Sequence, residues 1–238
     1  DSHLIRTDLT EKREVYQITK GIDVIIQAAA ATSGIKDTDE RPWVQITDNL
    51  AINPLVFEAA HQNNVSQLIC FSTSIVYPPN TNRASQEGDV DLNSEFPSKY
   101  RGAIWAKICL EKLAEFYASL GRTKYTVIRP SNLYGPFDRF DPERSHVFAA
   151  TIRKVAEAPD NGQITVWGRG EEVRDFLYIE ELTRFVEMLI DRQDYKFDIF
   201  NLSSGVPVSV TELNQMVIAI SGKKLEIIYD QKGPAIGT

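Results

Sequence analysis

Short apolar runs alternate along this chain with longer stretches in which apolar residues return every three to five positions. The runs at 23–27, 67–71 and 125–129 are unalternated, which predicts strands covered by helices on both faces. Helices are predicted at 43–62, 101–120 and 145–157. In the second of these, Ile104, Ile108, Leu113, Phe116 and Leu120 set the apolar stripe, and Gly121 stands where a C-terminal cap belongs. Strands alternating with helices are the signature of right-handed βαβ units, so the expectation is an α/β protein with a doubly wound parallel sheet. Beyond Asp160 the elements shorten, with strands expected at 164–167, 175–178, 197–202 and 225–229 and helices at 179–191 and 210–220. That change of texture predicts a smaller mixed α/β lobe over 161–238 after a first domain over 1–160.

Bulk properties narrow the class. With 238 residues and 42% hydrophobic content, the chain can bury a real core. A formal net charge of −7 and no run of Lys or Arg argue against nucleic acid or an anionic membrane as partner. An anionic substrate would be held by a few local cations. No stretch approaches the roughly 20 apolar residues of a membrane span, and no secretory leader pattern opens the chain, so a soluble, cytoplasmic protein is expected. Cys70 and Cys109 read as small buried hydrophobes with no metal-ligand company, and no metal is expected.

In a doubly wound sheet ligands bind outside the carboxyl ends of the strands. The first strand runs into Ala28-Ala29-Ala30-Ala31-Thr32-Ser33-Gly34-Ile35, small residues that let a cofactor approach the backbone or simply pack a tight turn. The second runs into Ser72-Thr73-Ser74-Ile75-Val76-Tyr77-Pro78, and the irregular stretch 72–97 is long enough to expect a functional loop. The third runs into Arg129-Pro130-Ser131-Asn132-Leu133-Tyr134-Gly135-Pro136. Each segment has an ordinary turn explanation. Their order carries more weight.

In that order the chain resembles the extended short-chain dehydrogenases that act on nucleotide sugars, over nearly its whole length. The resemblance implies a Rossmann-type domain with a substrate lobe, NAD or NADP as cofactor, and a nucleotide-sugar substrate. It assigns catalytic work to Thr73, four residues before Tyr77, and to Lys107 in the helical pattern "WAK" followed by "LEKLAEFY". It places cofactor contacts at Asp8, Leu9, Ala28, Ala29, Ala30, Asn49, Thr73, Lys107, Pro130, Asn132 and Leu133. Substrate contacts are implied at Asn132, His146, Val147, Lys154, Trp167 and Arg174, the last after a Trp-Gly-x-Gly turn that matches Trp167-Gly168-Arg169-Gly170. Asn132 to Pro136, followed by Ser145-His146-Val147, resembles the GDP-L-fucose synthases most, which implies His146 as acid/base. A homodimer joined through the helix at 101–120 is also implied.

Three departures stand out. The family carries a tyrosine four residues before the lysine, where residues share one helix face and a lysine ammonium depresses a phenol's pKa. Here that position is Ala103. Tyr100 stands three residues earlier. Second, the fucose synthases place a cysteine two residues after the catalytic hydroxyl, and here it is Ile75. That leaves open a one-base epimerisation, a pure reduction, or the work of a related C4-epimerase, and a non-catalytic nucleotide-sugar binder remains compatible with Ala103. Third, the Gly-x-x-Gly-x-x-Gly turn that cradles phosphate is not among these residues. The chain is therefore expected to be part of a longer protein, with the determinant of NAD or NADP choice elsewhere.

Overall fold

The computed structural model describes residues 3–32, 41, 43–78, 83–98, 100–141, 145–192 and 194–231. The chain divides into two compact units, Asp1–Pro130 with Leu182–Leu202, and Ser131–Glu181 with Ser203–Thr238. The sequence had suggested one boundary at residue 160. The division instead follows the sheets: 131–160 contributes a strand and a helix to the second unit, and 182–202 returns a strand to the first.

The first unit carries α1 (Lys12–Ile18), β1 (Val24–Gln27), α2 (Val44–Gln62), β2 (Gln67–Phe71), α3 (Arg101–Ser119), β3 (Lys124–Pro130) and β7 (Phe197–Leu202). Its strands form one sheet in the order β1-β2-β3-β7, and every pairing is parallel. The fold is Rossmann-type. Side chains alternate along a strand, and β2 uses both directions. Leu68 and Cys70 enter a core with Val15, Val56, Phe57, Leu110 and Ala114 from α1, α2 and α3. Gln67 points the other way and donates to the Leu189 carbonyl at 2.8 Å, on the helix α5 (Ile179–Asp191). Helices thus cover both faces of this strand, which is why its sequence does not alternate. β1 lies at the edge of the four, and its Ile26 is 47% exposed.

The buried stripe of α3 includes Ile104 and Ile108 of the expected stripe, with Leu113 packed against the core, and departs from it at Phe116 and Leu120. Phe116 and Leu120 are exposed, whereas Ile104, Ala106, Ile108, Leu110, Ala114 and Ala118 are buried together with Glu111. Ala106, Ala114 and Ala118 let α3 pack closely on its neighbours, while Phe116 and Leu120 were left outside. Gly121 follows at φ +79 and bonds back to the Ala118 carbonyl at 3.1 Å, as a C-terminal cap requires.

The second unit carries β4 (Asn132–Tyr134), α4 (Val147–Glu157), β5 (Gln163–Trp167), β6 (Val173–Tyr178), β8 (Pro207–Ser209), α6 (Val210–Ser221) and β9 (Glu226–Asp230). β4 pairs parallel with β6, β6 antiparallel with β8, and β5 parallel with β9. A capping box between Ser209 and Glu212 starts α6. Lys223 closes the far end of α4, donating to the carbonyls of Val155, Ala156 and Ala158 at 2.9, 2.7 and 2.7 Å. Gly170 is required by close approach: at φ +71, a Cβ there would stand 2.3 Å from the Thr211 hydroxyl and 2.7 Å from the Tyr229 ring.

Candidate active site

At the exit of β1 two buried amides hold the chain. Gln27 donates to the Ala29 carbonyl at 3.2 Å and to Asn53 at 3.1 Å. Asn49, on α2, accepts the Ala31 N–H at 3.0 Å and donates to the Ala31 and Gln45 carbonyls. Ala28, Ala29 and Ala30 are left exposed, with no side chain beyond a methyl to keep a ligand from their backbone. Asn49 shapes this loop through Ala31. Ser33, Gly34 and Ile35 lie outside the described residues.

At the exit of β2, Thr73 caps a single 3-10 turn, Ser74–Val76, its hydroxyl oxygen accepting the Ile75 N–H at 3.4 Å. That bond uses a lone pair and leaves the hydroxyl proton to be given. Lys107 reaches the same strand end from α3 and donates to the Phe71 carbonyl at 2.7 Å. Burial lowers its pKa from the ordinary lysine value, with Cys70 and Glu111 acting in the opposite sense. Ala103, half-buried, lies one helical turn before Lys107. Tyr100 is the N-cap of α3 and packs with Val76, Phe96, Ile104 and Ile108. Tyr77 is hydrogen-bonded to Arg129 and Asn201. Both nearby phenols are thus engaged in packing or bonding of their own.

Beneath these residues lies an ion pair that the sequence reading missed. Arg129 donates to Glu111 through Nε at 2.9 Å and Nη2 at 2.6 Å, with the two side chains 2% and 5% exposed. Ser72 donates its hydroxyl to Glu111 at 2.5 Å. The remaining guanidinium nitrogen, Nη1, donates to the Tyr77 oxygen at 2.7 Å and the Glu87 carbonyl at 2.8 Å, and the Tyr77 ring lies 5.1 Å from the guanidinium carbon. Signals were present. Glu111 stands four residues after Lys107 on α3, and Arg129 follows the apolar Val127-Ile128 of β3.

In the second unit Asp175 is a comparable hub. Its carboxylate accepts from the Ser131 hydroxyl at 2.7 Å, the Ser204 N–H and hydroxyl at 2.9 and 3.1 Å, and the Gly205 N–H at 2.7 Å, while its carbonyl accepts from Asn132 at 3.1 Å. Leu133 pairs with Leu177. Arg174, next to this hub, donates to the Val173 carbonyl at 3.0 Å. His146 is the exposed N-cap of α4 and Val147 its first residue. Lys154 donates to the Thr165 carbonyl at 2.7 Å and stands 5.2 Å from the Trp167 ring centre.

Near the start of the chain, Asp8 accepts from the Thr10 N–H at 2.9 Å and hydroxyl at 2.7 Å, opening the turn into α1. Asp8 and Leu9, with Arg6, Thr7, Glu14 and Ile52, line a hollow of about 550 Å³. Pro130 ends β3 opposite Leu202. Among the described residues, no group of three or more His, Cys, Asp and Glu side chains could hold a metal ion, and no helix is long and apolar enough to cross a membrane.

Residues 1–203 match the NAD dependent epimerase/dehydratase family. The chain belongs to that family. Its relatives include the GDP-L-fucose synthase of Sinorhizobium fredii, 32% identical over 233 residues, a match covering 96% of this chain and 74% of that protein. The GDP-L-colitose synthase of Yersinia pseudotuberculosis is 30% identical over 232 residues, covering 95% of this chain and 75% of that one. Among solved structures, a GDP-D-glycero-L-gluco-heptose synthase from Campylobacter jejuni, determined in the presence of NADPH, superposes with a TM-score of 0.83 at 21% identity, covering 94% and 77% of the two chains. The fold is shared with that protein. For an epimerase/dehydratase family member, the donor set at the sheet's carboxyl edge fits a nicotinamide dinucleotide: exposed backbone at Ala28 to Ala30, the Thr73 hydroxyl and the Lys107 ammonium.

Proposed function

We propose that this protein is a nicotinamide-dependent epimerase/reductase of a GDP-linked 4-keto-6-deoxy sugar, with Ala103 where its relatives' catalytic phenol is expected. The observation that carries the reading is Lys107 bonded to the Phe71 carbonyl, two residues before Thr73, so that ammonium and hydroxyl serve the same strand end. The relatives named for GDP-linked sugars support the substrate class.

In this reading Ala28, Ala29 and Ala30 admit the dinucleotide to the backbone, Asn49 keeps their loop open, and Asp8 and Leu9 receive its adenine. Pro130, Asn132 and Leu133 border its nicotinamide end. The cofactor, when bound, supplies hydride transfer. Lys107 holds the ribose and lends positive charge, and Thr73 gives a proton to, or takes one from, the sugar oxygen. His146 serves as the acid/base for carbons beside the keto group, with Val147 and Trp167 as sugar and base contacts. Arg174, backed by Lys154, holds the diphosphate. The protein works as a cytoplasmic homodimer joined through α3, whose exposed Trp105, Phe116 and Leu120 support that surface.

Ala103 itself favours a second reading, a non-catalytic nucleotide-sugar binder of the same family. Ala103→Tyr separates the two. Restoring a phenol one turn before Lys107 is expected to raise turnover of a GDP-4-keto-6-deoxyhexose with NAD(P)H by about 10²- to 10⁴-fold, the usual range for a positioned proton donor. Dinucleotide binding without any gain in turnover would favour the binder.

A further inference from the structure

The bridge that carries Thr73 is pinned at both ends to one buried ion pair. Before it, Ser72 donates its hydroxyl to Glu111 at 2.5 Å and its N–H to the Ile128 carbonyl at 2.7 Å. After it, the Tyr77 oxygen accepts from Arg129 at 2.7 Å. Between these anchors the Thr73 hydroxyl oxygen accepts a long 3.4 Å bond from the Ile75 N–H, a contact that does little to place the side chain. The Lys107 ammonium is tied to the same pair, because Lys107 lies one turn before Glu111 on α3. The pair is also oriented from outside: Tyr77 donates to Asn201, Asn201 donates its side-chain amide to the Ser85 carbonyl at 3.0 Å, and its backbone N–H donates to the Glu87 carboxylate at 2.8 Å.

Stability alone does not call for such a pair, since apolar side chains of equal volume commonly serve as well or better. Directionality does. A guanidinium offers its N–H donors in one plane and fixed directions, and Arg129 uses them toward Glu111, Tyr77 and the Glu87 carbonyl. We infer that the Glu111–Arg129 pair, acting through Ser72 and Tyr77, is the positioning element that sets the Thr73 hydroxyl and the Lys107 ammonium at one strand end before any ligand arrives. Resting on the reading of Thr73 as a proton-transfer group, this assigns positioning roles to residues that no motif named.

Two measurements test it. In the intact chain carrying Ala103→Tyr, Ser72→Ala is expected to lower kcat for a GDP-4-keto-6-deoxyhexose by roughly 10- to 100-fold, as small misplacements of a reacting group do. KM should not change, and Ser72→Thr should recover most of the loss. An unchanged kcat, or a rise in KM at constant kcat, overturns the assignment. The other measurement needs no turnover. In the chain as it stands, Ser72→Ala and Tyr77→Phe should each speed amide hydrogen exchange at 73–77 severalfold while β2 keeps its protection. Unchanged exchange in both variants overturns the clamp. Should the Ala103→Tyr parent show no turnover, the functional reading fails, and the exchange result still decides whether the ion pair holds this segment.

Discussion

Glu111 and Asp175 each fasten a loop to the end of a parallel strand with both carboxylate oxygens, yet their partners differ in kind. Glu111 faces a buried guanidinium and one hydroxyl. Asp175 is half-buried and faces hydroxyls and backbone N–H groups. Hydrogen bonds from neutral donors can be lost one at a time at modest cost. A buried ion pair cannot be trimmed that way, because removing either partner strands a charge away from water. One device is all-or-none and the other is graded, and the all-or-none one lies beside Thr73 and Lys107.

The largest effect expected from this contrast is at Glu111. Glu111→Ala should cost about 3–5 kcal/mol in chemical denaturation, the usual penalty for leaving a buried partner unpaired. Replacing both partners, as Glu111→Met with Arg129→Met, should return most of that stability. A single variant that loses under about 1 kcal/mol would mean that water reaches the guanidinium, and the distinction between the two carboxylates would collapse.

Asp175 should respond more gently. Asp175→Asn keeps the shape but turns an amide NH₂ toward donors at one oxygen position, so a loss of about 1–3 kcal/mol is expected in the same measurement. Ser204→Ala, which removes one of the hydroxyls bonded to that carboxylate, should cost no more than about 1 kcal/mol. If Asp175→Asn cost as much as Glu111→Ala, the two hubs would be equally cooperative and charge pairing would not be what separates them.

The fold was legible in the sequence wherever a run was long and evenly apolar. β2 lies where its unalternated residues predicted, and β3, α2 and α5 lie within a residue of the expected limits or on them. α1 was missed because only Val15 of its seven residues is buried, and β4 and β8 because three residues cannot display a period. On α3, size misled: Phe116 and Leu120 attract attention in a helical pattern, but close packing selected Ala106, Ala114 and Ala118. At the candidate site, Thr73 and Lys107 were named by the family resemblance, which rests on short local motifs. Glu111 and Arg129 were not, because their pairing is created by α3 lying over a sheet in which β2 and β3 are in register, and a local pattern carries no such information. Asp175 escaped for the same reason, its partners being brought in from either side by β4 and the 203–205 turn.

A third carboxylate extends the comparison to the surface, where the smallest effect is expected. Asp89 receives both terminal nitrogens of Arg83, at 2.7 and 2.8 Å, and the Gln86 N–H at 2.7 Å. Those bonds, led by the one from Arg83, hold its pKa at about 2 against an ordinary 3.8. A carboxylate with a depressed folded-state pKa contributes stability that is present above 3.8 and disappears as pH falls through about 2. The contribution is an exposed one, screened by water and salt, so acidification should loosen the 83–89 turn well before it touches β2. An NMR titration of the Asp89 carboxyl should find its midpoint near 2, shifting upward in Arg83→Ala. A midpoint at 3.8 with Arg83 present would mean that the pair is not formed in solution. The arginine-clamped loop would then be held by Arg129 on the Glu87 carbonyl and by Asn201 on Ser85 and Glu87, which would make the Glu111–Arg129 pair and its Tyr77–Asn201 link more dominant over this segment.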